Sequence, residues 1–496
     1  MPGSLFQEFC GGFYQALAPV MAADQAVNLY TETRQVAGSV KQMFMFGTPG
    51  MKLFATVATA GNRGWFSQDG RTFTVVGGTL YEVNVELVTT TSRGSITDDG
   101  LPVFFASNGA GGDEIGIVGA GELKVLDLVT NVLSAAIALP FSNPVMITFL
   151  DGYGLINEED TPIVWFSALE DLTTWDALDF FTRSNTSDNI IGIATVKDRV
   201  ACLGSKTTTW YYDSGDADTP FVPYPGTTVQ TGLLYPALLG SYNDELFFVA
   251  QSERGQIRVA RMQDTQVQTI STPPIDRFLA GATTLADAEL LIYYQDGHAF
   301  VTVTAPSAQQ DLQSACYDIT EGLWHFRAGF DSTTGKYTRW RARGSAVEGR
   351  QVFVGDYANG NLYTLDLETY ADDLTSSTTT ILKAERATPY ASAIPQWLFI
   401  HSIQLLAQAG VGLSGSGQGS DPMVQLEISR DGAQTWIDCG LAALGLLGQY
   451  VTRTIWRRLG RVRADLFVVR VTQTDPVQRA WGPGLFMDIE SGTGQL

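Results

Sequence analysis

Lysine is scarce in this sequence, with seven copies against 24 arginines, and the 31 basic residues are outnumbered by 52 acidic ones. The formal net charge over 496 residues is −21, which excludes nucleic-acid binding through a general basic surface. Charged residues make up only 17% of the chain, below the roughly 25% of ordinary soluble domains. Histidine occurs three times and cysteine four times. Cys10, Cys202, Cys316 and Cys439 are each more than 100 residues apart, so there is no C-x-x-C pair for zinc, haem or thiol redox chemistry. A disulfide framework is equally unexpected. No run approaches the ~18 apolar residues of a membrane helix, so membrane insertion is not expected. The opening ten residues lack a basic n-region and an unbroken apolar stretch, and read as mature sequence made in a cytoplasm.

What is present is glycine (51 residues), aromatic side chains (26 Phe, 18 Tyr, 10 Trp) and a 45% hydrophobic fraction. That mixture excludes disorder for most of the chain and suits many short strands joined by tight turns. It does not suit long helices, because Ala, Leu, Glu and Lys do not dominate. From Ala26 to about Tyr370 the chain reads as alternating runs of five to eight residues, such as Val83–Leu87, Arg199–Leu203 and Leu246–Ala250, punctuated by Gly, Asp and Asn.

A weak repeat runs through them. Gly78–Val83 (GTLYEV) recurs as Gly121–Leu126 (GELKVL) and as Gly360–Leu365 (GNLYTL). The first two lie 43 residues apart and the last two 239 apart, close to six steps of 40. Ser205–Tyr212 and Gly255–Ala260 fall roughly in phase. A period of about 40 to 45 residues with four strands per unit is that of a β-propeller blade. Six or seven blades fit the interval. Ordinary hairpin exits would give the same pattern by coincidence.

A polar tract, Leu374–Thr380, ends this pattern, and longer strands follow at His401–Ala407, Met423–Ile428 and Leu466–Thr472, interrupted by a Gly/Ser-rich loop at Gly410–Ser420. The expected fold is all-β: an arm over 1–25, a six- or seven-bladed propeller over 26–385, and an antiparallel β-sandwich over 386–496. One short helix is expected around Leu285–Leu290.

Few residues offer chemistry. Ser67–Phe73 and Ser429–Trp436 resemble the Asp-box hairpin, S-x-D-x-G-x-T-W, of sialidase and sortilin-type propellers. Ala433 stands at the motif's Gly, and the first copy is one residue short. The box is a structural staple in those families, its Asp accepting backbone hydrogen bonds in the turn. His298, His325 and His401 are too far apart in sequence for metal-ligand spacing, and structural, hydrogen-bonded roles are expected. Without a His partner a Ser or Cys nucleophile lacks its usual activator. There is no G-x-S-x-G elbow, P-loop or G-x-G-x-x-G set. Oxygens alternate in Asp213–Asp218, but the rest of a calcium loop is missing and a solvated turn is expected. No catalytic group, metal or cofactor is expected.

The arginines are more informative. They gather in Arg339, Arg341 and Arg343, and again in Arg457, Arg458, Arg461 and Arg463. Alternate strand positions share a face, so Arg461 and Arg463 point one way and Val462 the other. Such a row is a candidate contact for an acidic surface of a neighbouring subunit or partner, through bidentate pairing. Local ion pairs on an exposed sheet, or a phosphate-binding strip, are the alternatives.

Several segments, in order, resemble the packaged-DNA stabilisation or tail-hub protein family, the head-to-tail connectors of short-tailed bacteriophages. They are Ala26–Tyr30, Gly47–Phe54, Phe149–Tyr153, Thr174–Phe180, Ile190–Ala194, Gly204–Trp210, Gln230–Gly232, Gly419–Pro422, Ser429–Trp436 and Trp456–Arg463. Leu5–Met21 departs from the family's opening segment and is expected to be an arm that contacts a neighbour. The resemblance implies a propeller body, assembly with itself into a ring of six, and a structural place in the virion tail without catalysis. It also implies partners: a portal-adaptor (head completion) protein on one side and tail spikes, fibres or a needle-like plug on the other. DNA would pass through the ring without specific binding. The rival expectation is a glycan-binding or sialidase-like propeller acting as a receptor-binding protein, with carboxylates or arginines gathered at one face.

Overall fold

Tight hairpins at left-handed turns organise the larger part of the molecule. The structure is a computed structural model and describes residues 2–34, 42–109, 111–216, 219–252, 254–375, 378–389 and 396–491. Seven antiparallel blades follow one another over 62–95, 104–133, 144–182, 190–223, 232–269, 289–331 and 342–366. The turn between a blade's first two long strands places both residues at positive φ in Asp69-Gly70 (49° and 76°), Asp151-Gly152 (48° and 94°) and Asp296-Gly297 (50° and 80°). Two-residue turns of this kind match the strand twist and call for Asp, Asn or Gly.

The three Gly-x-Leu units are structurally equivalent, each leading into the third strand of its blade: 79–84 in the first, 122–127 in the second and 361–366 in the seventh. Ser205–Tyr212 and Gly255–Ala260 enter the third strands of the fourth and fifth, 208–213 and 257–263. The propeller therefore has seven blades. The 239-residue interval spans five blades rather than six steps of 40, because the later blades carry longer connections.

The seventh blade lacks a fourth strand of its own and takes Gly50–Thr56, which pairs antiparallel with Asn361–Asp366. At this seam Phe353, fully buried, packs on Phe54 and on Trp65 of the first blade, with ring centroids 5.3 and 6.0 Å apart.

The remaining strands form a sandwich. One sheet runs 29–33, 43–47, 480–491, 397–407, 454–463, with 2–8 also paired to 480–491. The other runs 23–27, 384–389, 468–473, 423–429, 437–443, and is continuous with the sixth blade through one parallel pair, Val27 with Phe326. Phe9, Leu29 and Met45 lie in one core with Leu398, Val424, Trp456, Val469 and Trp481.

The sheets thus divide the chain differently from the expected boundaries at 25/26 and 385/386. Residues 2–8 are a sheet strand rather than an arm, and strands 23–27, 29–33 and 43–47 complete the sandwich instead of opening the propeller. The propeller is inserted between two parts of the sandwich. Of the polar tract 374–380, residues 376 and 377 lie outside the described residues; its flanks pair as a small hairpin. The one α-helix among the described residues is Pro273–Ala280, not 285–290. Pro273 and Pro274 sit where the first helical turn has no amide bond to lose, and Ile275, Phe278 and Leu279 are buried. Residues 289–295 are a strand.

Asn28 ties these parts together. It stands between strands 23–27 and 29–33 at φ 53°, a left-handed conformation that Asn tolerates, and there the chain leaves one sandwich sheet for the other. Its fully buried amide donates to Ala328 O and Lys383 O, each 2.9 Å away, and accepts from Ala328 N at 3.0 Å. Asn28→Leu orphans all three backbone groups and is expected to lower stability by about 3 kcal/mol or more. The measurement is the shift of the denaturant midpoint, and an unchanged midpoint rules out this role.

Candidate functional site

Arg339, Arg341 and Arg343 lie around one mouth of the propeller, on the alternate positions that the strand period predicts, while Trp340 and Ala342 are buried between them. Their charges are met within the chain. Arg339 and Arg343 share the carboxylate of Glu289, with Arg343 Nε 2.8 Å from Oε2. Arg341 Nε lies 2.7 Å from Asp356 Oδ2, and the guanidiniums of Arg339 and Arg341 flank Tyr357 at 4.1 and 5.7 Å from its ring centroid. Arg63, in the first strand of the first blade, pairs with Asp98 and Asp99 in the connection to the second. This network bridges the sixth, seventh and first blades, where the propeller closes.

The second cluster differs. Arg463 pairs with Asp465, at 2.6 Å for Nη2 to Oδ2, whereas Arg457 and Arg458 are exposed and make no ion pair among the described residues. Arg461 is exposed and lies over Trp397, 4.0 Å from the ring centroid. Val462, on the opposite side of the strand, is fully buried. At one end of the same sandwich, loops 409–421 and 444–453 are joined by bonds from Gly410 N to Leu444 O and from Gly448 N to Gly410 O. They expose Leu413, Leu446, Leu447, Tyr450 and Val451, the last at 93%. Residues 439–452 carry no charge. An apolar tip of this extent is the mark of a contact surface.

The remaining candidates are structural. His298 Nδ1 lies 2.7 Å from Asp318 Oδ2, buried against Tyr30 and Phe300. That bond raises the imidazole above its ordinary 6.5. His325 is enclosed in its strand, and burial lowers it to about 3. His401 is half-exposed, 3.5 Å from Glu490. In the Ser429–Trp436 turn, Asp431 accepts from Gln434 N and Thr435 N at 3.0 and 2.9 Å and from Ser429 Oγ at 2.7 Å, and these bonds, Thr435 foremost, hold its carboxyl near 2. Trp436 carries the Arg470 guanidinium on its ring. In the calcium candidate Asp213 caps its own turn through Gly215 N, and Asp218 lies outside the described residues. No cluster among the described residues could hold a metal.

Grooves of about 690 and 590 Å3 lie between the sixth and seventh and between the seventh and first blades, lined by mixed charges that include Arg350, Asp366 and Glu348. The propeller's central hollow, about 420 Å3, is bordered by Phe66, Phe105, Leu239 and Ile292.

The buried arginines escaped the sequence reading. Arg327 bonds Tyr293 Oη and Pro49 O, both at 2.8 Å. Arg386 bonds Phe9 O and Gly12 O at 2.8 Å and pairs with Asp24. Arg479 bonds Leu382 O at 2.7 Å and also Tyr370 O and Asp475 O. The available signal was a lone Arg within an apolar strand, as in Phe326-Arg327-Ala328.

Comparison with known proteins gave two family matches. A family model described as Bacteriophage P22 Gp10, beta-propeller, matches residues 12–370, and one described as Bacteriophage P22 Gp10, beta-sandwich, matches residues 383–482. Comparison with curated proteins gave no match. Among solved structures, the computationally designed Ika8 protein is 13% identical and covers 69% of this chain and 99% of its own, at a TM-score of 0.35. The N-terminal domain of Nup159 is 10% identical over 68% of this chain and 98% of its own, at 0.39. The β-propeller domain of Cps50 (Swd1) from Myceliophteria thermophila is 9% identical over 63% and 98%, at 0.41. At these TM-scores the likenesses carry no argument.

Two outcomes follow from the site geometry. Glu289→Gln leaves Arg339 and Arg343 without their shared counter-charge and is expected to cost about 3 kcal/mol, read from denaturant unfolding; a native midpoint would show the network to be dispensable. The raised His298 contributes stability that is full below its ordinary 6.5 and is lost as pH rises through its higher folded value. The unfolding midpoint should therefore fall from pH 6.5 upward, and His298→Gln should remove that part of the slope.

Proposed function

The chain belongs to the bacteriophage P22 Gp10 stabilisation family, and from that premise we propose that it works as a ring-forming tail hub that joins head to tail. It is a phage structural protein, a component of the virion. Copies of the chain, six in number, surround the DNA axis below the portal-adaptor ring. There they extend the channel, help retain the packaged genome and anchor spikes, fibres or a plug. The observation that carries it is the pair of family matches, end to end in chain order over both propeller and sandwich.

Electrostatics support the reading. DNA packed under pressure must be held and then released, so a wall that bound phosphates through counterion release would retard ejection. A net charge of −21 opposes such trapping, and Arg339, Arg341, Arg343 and Arg463 are already paired within the chain. No chemistry is assigned to the protein.

Electron microscopy of the chain bound to its portal complex should show a ring on the DNA axis. Single copies at the tail periphery, or binding and turnover of a surface glycan by the inter-blade grooves, would establish the receptor-binding alternative. Duplex DNA should bind weakly. Tight, salt-steep binding abolished by Arg461→Ala and Arg463→Ala would contradict the non-gripping wall.

A further inference from the structure

We propose that the exposed face of the sandwich is a head-to-tail contact between copies of this chain, Arg457, Arg458 and Arg461 of one copy meeting Asp488 and Glu490 of the next. This rests on the ring reading and specifies its interface. Strand 454–463 is the edge of its sheet, followed by 397–407 and then 480–491. Phe399 stands directly between Arg461 and Glu490, and Ser402 directly between Arg457 and Asp488. Directly opposed residues share a face, so the bases form one column and the acids another, two strands apart. Phe399 and Phe486 are exposed on that face.

At about 4.8 Å per strand the columns are roughly 10 Å apart. No ion pair joins them among the described residues. The other clustered arginines, Arg339, Arg341, Arg343 and Arg463, each have a counter-charge within the chain.

The edge strand is also distorted in favour of the contact. Its register slips by one residue against Ile400–Ser402, and Arg458 lies at φ 64° with Gly460 at 81°. A bulge re-aims side chains at a sheet edge, and a non-glycine residue held in the left-handed region points to a use for the strain. Here it presents a third guanidinium beside Arg457.

A face basic along one edge and acidic further in carries two unlike patches. Bases of one copy set against acids of the next make a heterologous contact, which generates a ring where its rotation closes. Exposed pairs add little affinity singly, but a matched set fixes register and rejects reversed contacts. Arginines on an edge strand also deter unwanted strand pairing. That protective role is served by charge of either sign, so charge reversal separates the two.

The experiment uses two full-length variants: Arg457→Glu with Arg458→Glu and Arg461→Glu, and Asp488→Lys with Glu490→Lys. Each is tested for ring formation on the portal complex by electron microscopy, alone and mixed in equal amounts. Each alone should lose rings, with an assembled fraction down roughly tenfold or more, and the mixture should regain them as alternating copies. Rings from either variant alone, at the native level, overturn the contact while the ring reading stands. Loss without rescue on mixing overturns it too. A native chain that makes no ring overturns both. Should a reversed variant unfold, the set Arg457→Gln, Arg458→Gln and Arg461→Gln serves instead. Native assembly should weaken with salt, and this set should abolish that dependence; a salt dependence kept in full refutes the contact.

Discussion

The buried amide of Asn28 is the point on which the architecture depends. It binds the backbone of the sixth blade at Ala328 and the end of the connection at Lys383, while its own left-handed turn passes the chain from one sandwich sheet to the other. Three separate lengths of chain meet there, two of them 300 and 355 residues from Asn28 in sequence. The N-terminal segment, once fixed at Asn28, delivers Gly50 to the seventh blade, where Met51 N bonds Asp372 Oδ1 at 3.0 Å. Burial lifts that carboxyl to about 6, among the buried guanidiniums of Arg327 and Arg479. Ring closure in the propeller and completion of the sandwich therefore draw on one N-terminal segment. The sandwich has all its strands only when both ends of the chain are in place, and the propeller only when 50–56 joins the seventh blade, which makes folding a problem of long-range contacts.

That coupling separates what was legible in the sequence from what was not. Blade strands announce themselves locally, because alternation and Asp-Gly turns are consequences of pleat and twist within a few residues. The seven-fold count was recoverable only approximately, since Gly121 and Gly360 mark equivalent positions while the loops between them vary. Membership of the sandwich was hidden. Residues 23–27 look like any half-buried strand, and nothing local says that they pair with 385–387. The helix was misplaced because Pro273-Pro274 reads as a breaker when it in fact opens the helix.

The arginine rows show the same limit in electrostatic form. Their alternation was plain, as was the side of the strand that each would occupy. Whether each is spare depends on its counter-charge, and Glu289 lies 50 residues from Arg339 in sequence. Only the folded structure distinguishes a row that holds blades together from an edge row in which Arg457, Arg458 and Arg461 have no counter-charge among the described residues.

The preference for arginine over lysine follows from the joints themselves. Arg386 reaches Phe9 O, Gly12 O, Gln25 O and Asp24 from one planar head, and Arg479 reaches carbonyls of the last blade's exit, the connection and the sandwich. Five donors fixed in a plane can satisfy several carbonyls whose positions are set by different sheets, and the group keeps its charge when buried. A lysine ammonium offers three donors around one point and gives up its proton more readily in an apolar site. A fold whose two parts are stitched through irregular, buried backbone therefore selects guanidinium at each stitch. The scarcity of lysine in the sequence is thus a consequence of how the chain is closed as much as of its overall acidity.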